Sequence, residues 1–115
     1  MSGRVRIINL EEGFPTRDQA YQKLEGALAR ARKDGIAVLK LIHGYGSTGT
    51  GGEIRIGVQK RLREMSERGE IRRFIFGENW GKSDEQAWKI VTTQPELKQD
   101  RDLGKGNRGI TIVEL

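Results

Sequence analysis

The chain lacks the residues from which metal centres and disulfide frameworks are usually built. Its 115 residues include no cysteine and one histidine, His43, which excludes a disulfide scaffold and a zinc site. Only carboxylates, backbone groups and water could hold a metal, and the spacing of the acidic residues does not support one. No run approaches the roughly 20 apolar residues that span a bilayer, and the first residues do not resemble a signal peptide. We therefore expect a cytoplasmic protein with no membrane contact and no cofactor.

Aromatic residues are also scarce, and the charge is unbalanced. Aromatics make up 6% of the chain and charged residues 32%, with a formal net charge of +5. A broad base-stacking platform needs more aromatic side chains than this. The positive charge favours polyanionic partners, so contacts with phosphates are the expected mode of any nucleic-acid binding.

The hydrophobic pattern predicts alternating strands and helices in a single domain spanning residues 1–115. Thr16 and Gln19 form a capping-box pattern in front of the first helix, and Asp34-Gly35 ends it. Strands are predicted over 5–10, 36–42, 71–76 and 110–115, and helices over 17–33 and from Ile54 to Gly69. Successive strand-helix-strand units predict a two-layer α/β sandwich with the helices mainly on one face of the sheet.

About thirty residues separate the last two predicted strands, which is too many for an unstructured connection. Ser83 can cap a short helix over about 84–91. Trp88 is expected to anchor this stretch to the domain, whereas the role of Trp80 stays open.

A glycine-rich stretch follows the second predicted strand. Five glycines lie between His43 and Glu53: Gly44, Gly46, Gly49, Gly51 and Gly52. A strand that leads through such a loop into a helix brings backbone N–H groups and the positive end of the helix dipole to one point. This stretch is therefore a candidate anion site, although a mobile surface loop would have the same composition. The absence of a GKS or GKT ending argues against a nucleotide-binding P-loop.

The chain resembles the Smr (small MutS-related) domain in four features. These are the order of elements, the HGYG sequence of His43, Gly44 and Gly46, Arg55 near the start of the next helix, and the closing GITIVEL. The resemblance implies a βαβαββ order with a four-stranded mixed sheet, similar to the C-terminal domain of translation initiation factor three. It also implies a role on DNA or RNA, with nicking or cleavage as an activity of many members. The stretch 78–108 is longer than is typical of the family and is expected to be an insertion.

One motif of the family is altered. Members usually carry LDxH at the end of the first strand, where this chain has Ile8, Asn9, Leu10 and Glu11. An amide replaces the acid and a carboxylate replaces the imidazole. The alternative to an endonuclease is therefore a nucleic-acid-binding or protein-interaction module whose nuclease site has decayed.

The predicted site lies where the first two strands end. Parallel strands end at one edge of a sheet, which brings Asn9, Glu11 and His43 together where ligands bind in open α/β sheets. The expected catalytic residues are His43, as proton carrier, and Glu11, which would orient or assist it. The expected nucleic-acid contacts are Gly44, Tyr45, Gly46, Arg55 and Lys60.

Three of these contacts have structural alternatives. Arg55 could pair with Glu53 or Glu11 rather than with a phosphate. Tyr45 could stack on a base or be an exposed loop residue, and Lys60 could belong to a solvated helix face. The choice between DNA and RNA and the oligomeric state stay open.

Overall fold

The computed structural model describes residues 4–44 and 51–115. Its strands are β1 (Val5–Asn9), β2 (Val38–Ile42), β3 (Arg73–Phe76) and β4 (Ile110–Glu114), and its α-helices are α1 (Arg17–Lys33), α2 (Gly51–Glu67) and α3 (Glu85–Thr93). Short 3-10 helices at Gly77–Asn79 and Pro95–Gln99 flank α3. The predicted order of strands and helices is confirmed, although β2 and β3 each begin two residues later than predicted.

The four strands form one mixed sheet in the order β1-β2-β4-β3. β1 pairs with β2 in parallel, with Asn9 opposite Ile42, while β4 is antiparallel to both β2 and β3. The predicted α/β fold with a four-stranded mixed sheet is thus confirmed. Because β1 and β2 run in the same direction, both end at one edge of the sheet, and α1 and α2 begin near it.

The boundaries of α1 follow from its sequence. The Thr16 hydroxyl accepts a hydrogen bond from the backbone of Gln19, and the Gln19 side chain accepts one from the backbone of Thr16. The helix ends at Lys33 with Asp34 as its C-cap, and Gly35 follows with a positive φ of 71°. The predicted capping box and glycine stop are both present, so α1 has the bounds expected from the sequence.

One face of the sheet is covered by α1 and α2. The core there is aliphatic and includes Leu24 and Leu28 of α1, Val58 and Leu62 of α2, and Leu39 of β2. The buried helix residues recur at intervals of three and four, as in Leu24, Leu28 and Ala31 of α1, which is the pattern expected of a helix with one buried face.

The opposite face is covered by the connecting segment, residues 77–109 between β3 and β4. Its core contains Trp80, Ile90 and Leu97, which pack against strand residues such as Val38 and Ile112. The two long helices thus lie on one face, as expected, and the shorter α3 lies on the second face. The N-cap of α3 is Asp84 rather than Ser83, since its carboxylate accepts from the backbone N–H of Ala87.

Lys40 of β2 points into this second face and is 3% exposed. Its ammonium lies 2.8 Å from Asp100 and 2.6 Å from Asp102, both in the connecting segment. The other Asp100 oxygen accepts from the Trp80 indole at 2.9 Å. A buried ionic cluster thus fastens the connecting segment to the middle of the sheet. No helix of the described residues is long and apolar enough to cross a membrane.

Candidate nucleic-acid interface

The ends of β1 and β2 form the base of the candidate site. The backbone N–H of Leu10 donates to the carbonyl of Ile42 at 2.7 Å, which continues the parallel pairing one residue past β1. Asn9 turns the chain, because its side-chain oxygen accepts from the backbone N–H of Glu11 at 2.9 Å. Asn9 therefore shapes the turn that presents Glu11.

Glu11 and Gly44 meet at this edge. The Glu11 carboxylate lies against the Cα of Gly44, in the space that a Cβ would need, and Gly44 has a positive φ of 72°. The positive φ favours glycine at position 44, whereas the Glu11 carboxylate is the end of an exposed side chain that can move aside. Glu11, two residues after β1, is thus in direct contact with Gly44, the first glycine of HGYG.

His43 is fully buried, at 0% exposure. Its Nδ1 lies 2.7 Å from the carbonyl oxygen of Gly44, and its Nε2 lies 2.8 Å from the Thr111 hydroxyl on β4. A carbonyl can only accept, so Nδ1 carries the proton and Thr111 donates to Nε2. Burial lowers the pKa of His43, the Gly44 bond opposes that shift, and the charge of nearby Arg55 adds to it. The ring is therefore neutral near pH 7, with both nitrogens occupied.

The structure does not pair Glu11 with His43. No hydrogen bond joins these two side chains, both of which lie within the described residues. Glu11 lines a groove with Ile7 and Ile42 on the second face of the sheet, whereas the imidazole bonds to Thr111, which is itself fully buried. Glu11 and His43 therefore lie at the same edge of the sheet, but their side chains contact different residues.

The start of β4 holds the end of β2 in place. The carbonyl of Gly109 accepts from the backbone N–H groups of His43 and Gly44, at 2.9 and 3.0 Å. Together with the Thr111 bond, these contacts fix the backbone at His43 and Gly44.

Arg55 is the fifth residue of α2, just past the first turn of the helix, and is half-buried, with 24% of its side chain exposed. One guanidinium nitrogen, Nη2, lies 3.1 Å from a carboxylate oxygen of Glu78 in the connecting segment. Its Nε is buried and has no hydrogen-bond partner among the described residues. The anion on Arg55 is thus neither Glu53 nor Glu11, the two partners considered from the sequence.

Of the remaining predicted nucleic-acid contacts, the structure describes one, Lys60. Lys60 is exposed on α2, five residues after Arg55 and so about 140° further around the helix. Tyr45 and Gly46 lie outside the described residues. Among residues 4–44 and 51–115, no group of three or more acidic or histidine side chains is arranged to hold a metal ion.

Two residues of this site were missed from the sequence. Thr111 lies in an apolar strand and has no motif around it, and Glu78 belongs to the stretch treated as an insertion. The alternation of β4 could have placed Thr111 on the same side as Val113, but nothing local indicates that Glu78 reaches α2.

These features define a class of small α/β domains with a mixed sheet. At one edge of the sheet, a glycine follows the second strand and an arginine lies near the start of the next helix. A family model described as the Smr domain matches residues 12–83. That match covers more than half of the chain, so the protein belongs to the Smr domain family, as predicted.

A solved structure has the same fold. The Smr domain of Thermus thermophilus MutS2 is 22% identical, with a TM-score of 0.59 over 96% of this chain and 96% of that chain. At this identity the likeness bears on the fold alone. A search of curated proteins finds no match. The family match ends within the connecting segment, and the interpretation of residues 78–108 as an insertion stays a prediction.

Proposed function

We propose that this chain is a cytoplasmic nucleic-acid-binding domain in which Arg55 contacts a backbone phosphate. The observation that carries the proposal is the state of the Arg55 side chain. Its guanidinium already holds an anion, Glu78, and its buried Nε has no acceptor among the described residues. The Nε itself is enclosed, but 24% of the side chain is exposed, so a phosphate oxygen can accept from the outer N–H groups of the guanidinium, which bind phosphate strongly.

The location of Arg55 supports the same proposal. Arg55 is the fifth residue of α2, so a phosphate bound by its guanidinium would lie near the N-terminal end of that helix, where the helix dipole favours an anion. The net charge of +5 adds attraction at longer range. We assign further contacts to Gly44, to Tyr45 and Gly46 in the glycine-rich stretch, and to exposed Lys60.

For His43 we propose a positioning role, and for the site as a whole binding without cleavage. To exchange a proton with a substrate, the ring would have to release either Gly44 or Thr111, and it would have to leave a fully buried position. Glu11 is exposed at the same edge but does not bond to the imidazole. A proton donor and acceptor pair acting on one phosphate needs both groups within reach of it.

Salt titration of Arg55→Gln tests the binding proposal. Affinities for a labelled DNA duplex and for a single-stranded RNA are measured across a range of salt concentrations. Losing one phosphate contact lowers the log-log salt slope for the duplex by about 0.9. Lys98→Gln is the matched control, because it removes the same charge from an exposed position on the connecting segment. Equal slopes for wild type and Arg55→Gln would exclude Arg55 as the phosphate contact.

Glu78→Gln tests whether Glu78 and the phosphate compete for one guanidinium. Exposed ion pairs contribute about 0.2–1 kcal/mol, so removing the competitor tightens binding by roughly 1.5-fold to 5-fold. Weaker binding by Glu78→Gln would instead mean that Glu78 holds Arg55 in its binding geometry.

Plasmid-nicking and RNA-cleavage assays, with and without magnesium or manganese, test the absence of turnover. The wild type is expected to bind both substrates and leave them intact. Cleavage that disappears in Glu11→Gln or in His43→Asn, while the fold survives by circular dichroism, would restore the predicted catalytic roles of these residues.

A further inference from the structure

A second cationic surface lies at the edge of the sheet opposite Arg55. Arg4 immediately precedes β1, Arg72 immediately precedes β3, and Arg32 lies in the last turn of α1. All three are exposed, and all three line one groove of about 450 Å³. We call it the arginine groove.

The cations of the arginine groove are not neutralised by neighbouring carboxylates. Among the described residues, no acidic side chain lies within 4.0 Å of the charged atoms of Arg4, Arg32 or Arg72. Arg32 instead donates to the backbone carbonyl of Glu70 at 2.8 Å. The acidic side chain among the groove's lining residues, Glu114, is bound by Arg73 at 2.6 Å. Nearby Arg6 likewise has its own acid, Asp34, at 3.0 Å.

Helix electrostatics explain one of the three arginines. Arg32 near the C-terminal end of α1 stabilises the negative end of that helix dipole. Arg4 and Arg72 precede strands, whose net dipoles are small, so no dipole of their own element accounts for them. Two exposed, unpaired cations thus face one groove without a structural partner.

The spacing of these two arginines suits an extended polyanion. β1 and β3 are the outer strands of the order β1-β2-β4-β3, which puts the starts of the two strands about 14 Å apart at a strand separation of about 4.8 Å. One strand of a DNA duplex carries a phosphate per roughly 3.4 Å of helix axis. A backbone laid across the groove would therefore present several phosphates between Arg4 and Arg72.

We propose that the arginine groove is a second contact surface for the phosphate backbone of nucleic acid. The proposal rests on the proposed function only in taking nucleic acid as the ligand. Its residues are separate from Arg55, because β2 alone separates the two edges by about 16 Å, at about 3.3 Å per residue over its five residues.

The test compares two double variants that lose the same charge. Arg4→Gln with Arg72→Gln removes two groove cations, whereas Arg30→Gln with Lys33→Gln removes two exposed cations of α1 that do not line the groove. With a labelled DNA duplex, the groove variant is expected to lower the log-log salt slope by about 1.8, as for two phosphate contacts. The control is expected to change the slope by less than one contact. Thermal unfolding of each variant checks the fold.

The outcomes separate this proposal from the proposed function. A slope reduced in the groove variant supports the groove, whatever Arg55→Gln does. An unchanged slope in the groove variant, or equal reductions in both double variants, would overturn the groove proposal and leave the Arg55 site standing. Binding that depends on the groove but not on Arg55 would retain the groove and overturn the Arg55 site.

Amide chemical shifts give an independent readout of the same question. A four-nucleotide single strand titrated into the wild type is expected to shift the amides of Ala37, Arg72 and Gln94, which line or flank the groove. Shifts confined to Gly44 and the start of α2 would overturn the proposal.

Discussion

The face of the sheet under α1 and α2 and the face under the connecting segment are both packed against other elements, but by different chemistry. On the second face, Ile7 of β1 stays 61% exposed. The first has an aliphatic core in which Leu24, Leu39 and Leu62 are all 0% exposed. The second combines Trp80 and Ile90 with the ionic cluster around Lys40. Apolar packing tolerates many arrangements, whereas a buried charge needs particular partners in particular places. The connecting segment is therefore held in register by charge as well as by apolar area.

Lys40→Met is expected to have the largest effect, because it removes the cation of the buried ionic cluster on the second face. Removing one member of a buried ionic group leaves its partners uncompensated, and we expect the free energy of unfolding to fall by about 3–5 kcal/mol. Urea denaturation measures the loss. Combining Lys40→Met with Asp100→Asn and Asp102→Asn should recover much of it, since a neutral replacement of the whole cluster leaves no buried charge.

Lys23→Met is the control for this prediction. Lys23 lies 3.7 Å from Glu12 and donates to the carbonyl of Asn9 at 2.6 Å, but both contacts are exposed, so its loss should change stability by only about 1 kcal/mol. Similar losses in the two variants would mean that the Lys40 cluster contributes no more than a surface pair.

Acid should weaken the two faces in separate pH windows. Because the pKa of His43 is lowered in the folded state, the unfolded chain takes up a proton first, near its ordinary value of about 6.5. Stability then falls as the pH drops from there to the folded pKa. For Asp102, burial raises the pKa but the Lys40 and Asn107 bonds lower it further, to below its ordinary value. Its contribution is present above about pH 3.9 and is lost as the pH falls through the folded pKa.

Stability measured against pH checks both windows, with a slope of up to about 1.4 kcal/mol per pH unit for each group. The single histidine also gives one imidazole signal by NMR, and its midpoint should lie below 6.5. A midpoint at or above that value would contradict the buried, neutral ring. Asp102→Asn should reduce the pH dependence of stability in the lower, Asp102 window and leave it unchanged in the upper, His43 window.

The smallest expected effects come from the helix caps, one on each face. Thr16→Ala removes the capping box of α1, and Asp84→Ala removes the cap of α3. Each should cost about 1 kcal/mol. Both substitutions are expected to lower one shared unfolding transition, because the two cores use opposite sides of the same strands. Separate transitions for the two variants would show that the connecting segment unfolds on its own.

Much of the fold could be predicted from local patterns. The capping box and the Asp34-Gly35 stop define α1, and the near-continuous apolar run from Ile36 to Ile42 predicts a strand buried on both faces. Caps and side-chain periodicity act within a few residues, so a single sequence reveals them. The cap of α3 was wrong by one residue because Ser83 and Asp84 are both good N-caps and only the backbone geometry chooses between them.

The candidate site was less predictable because its contacts join distant residues. HGYG and Arg55 indicated the edge of the sheet at which it lies, and the resemblance indicated the family. The partner of Arg55 is Glu78, 23 positions away, and the partner of the His43 Nε2 is Thr111, 68 positions away. No local pattern encodes such pairs.

By itself, the sequence determined the order of the elements, the limits of α1 and the apolar character of β2, since these depend on neighbouring residues and on burial in general. Only the tertiary structure decided which anion Arg55 holds, that His43 is enclosed, and that three arginines line one groove. It also decided that Lys40 can be charged inside the protein, because Asp100 lies 60 positions away in sequence and 2.8 Å away in space. Electrostatic partners are chosen by distance in the folded chain, and that distance exists only once the sheet has brought its strands together.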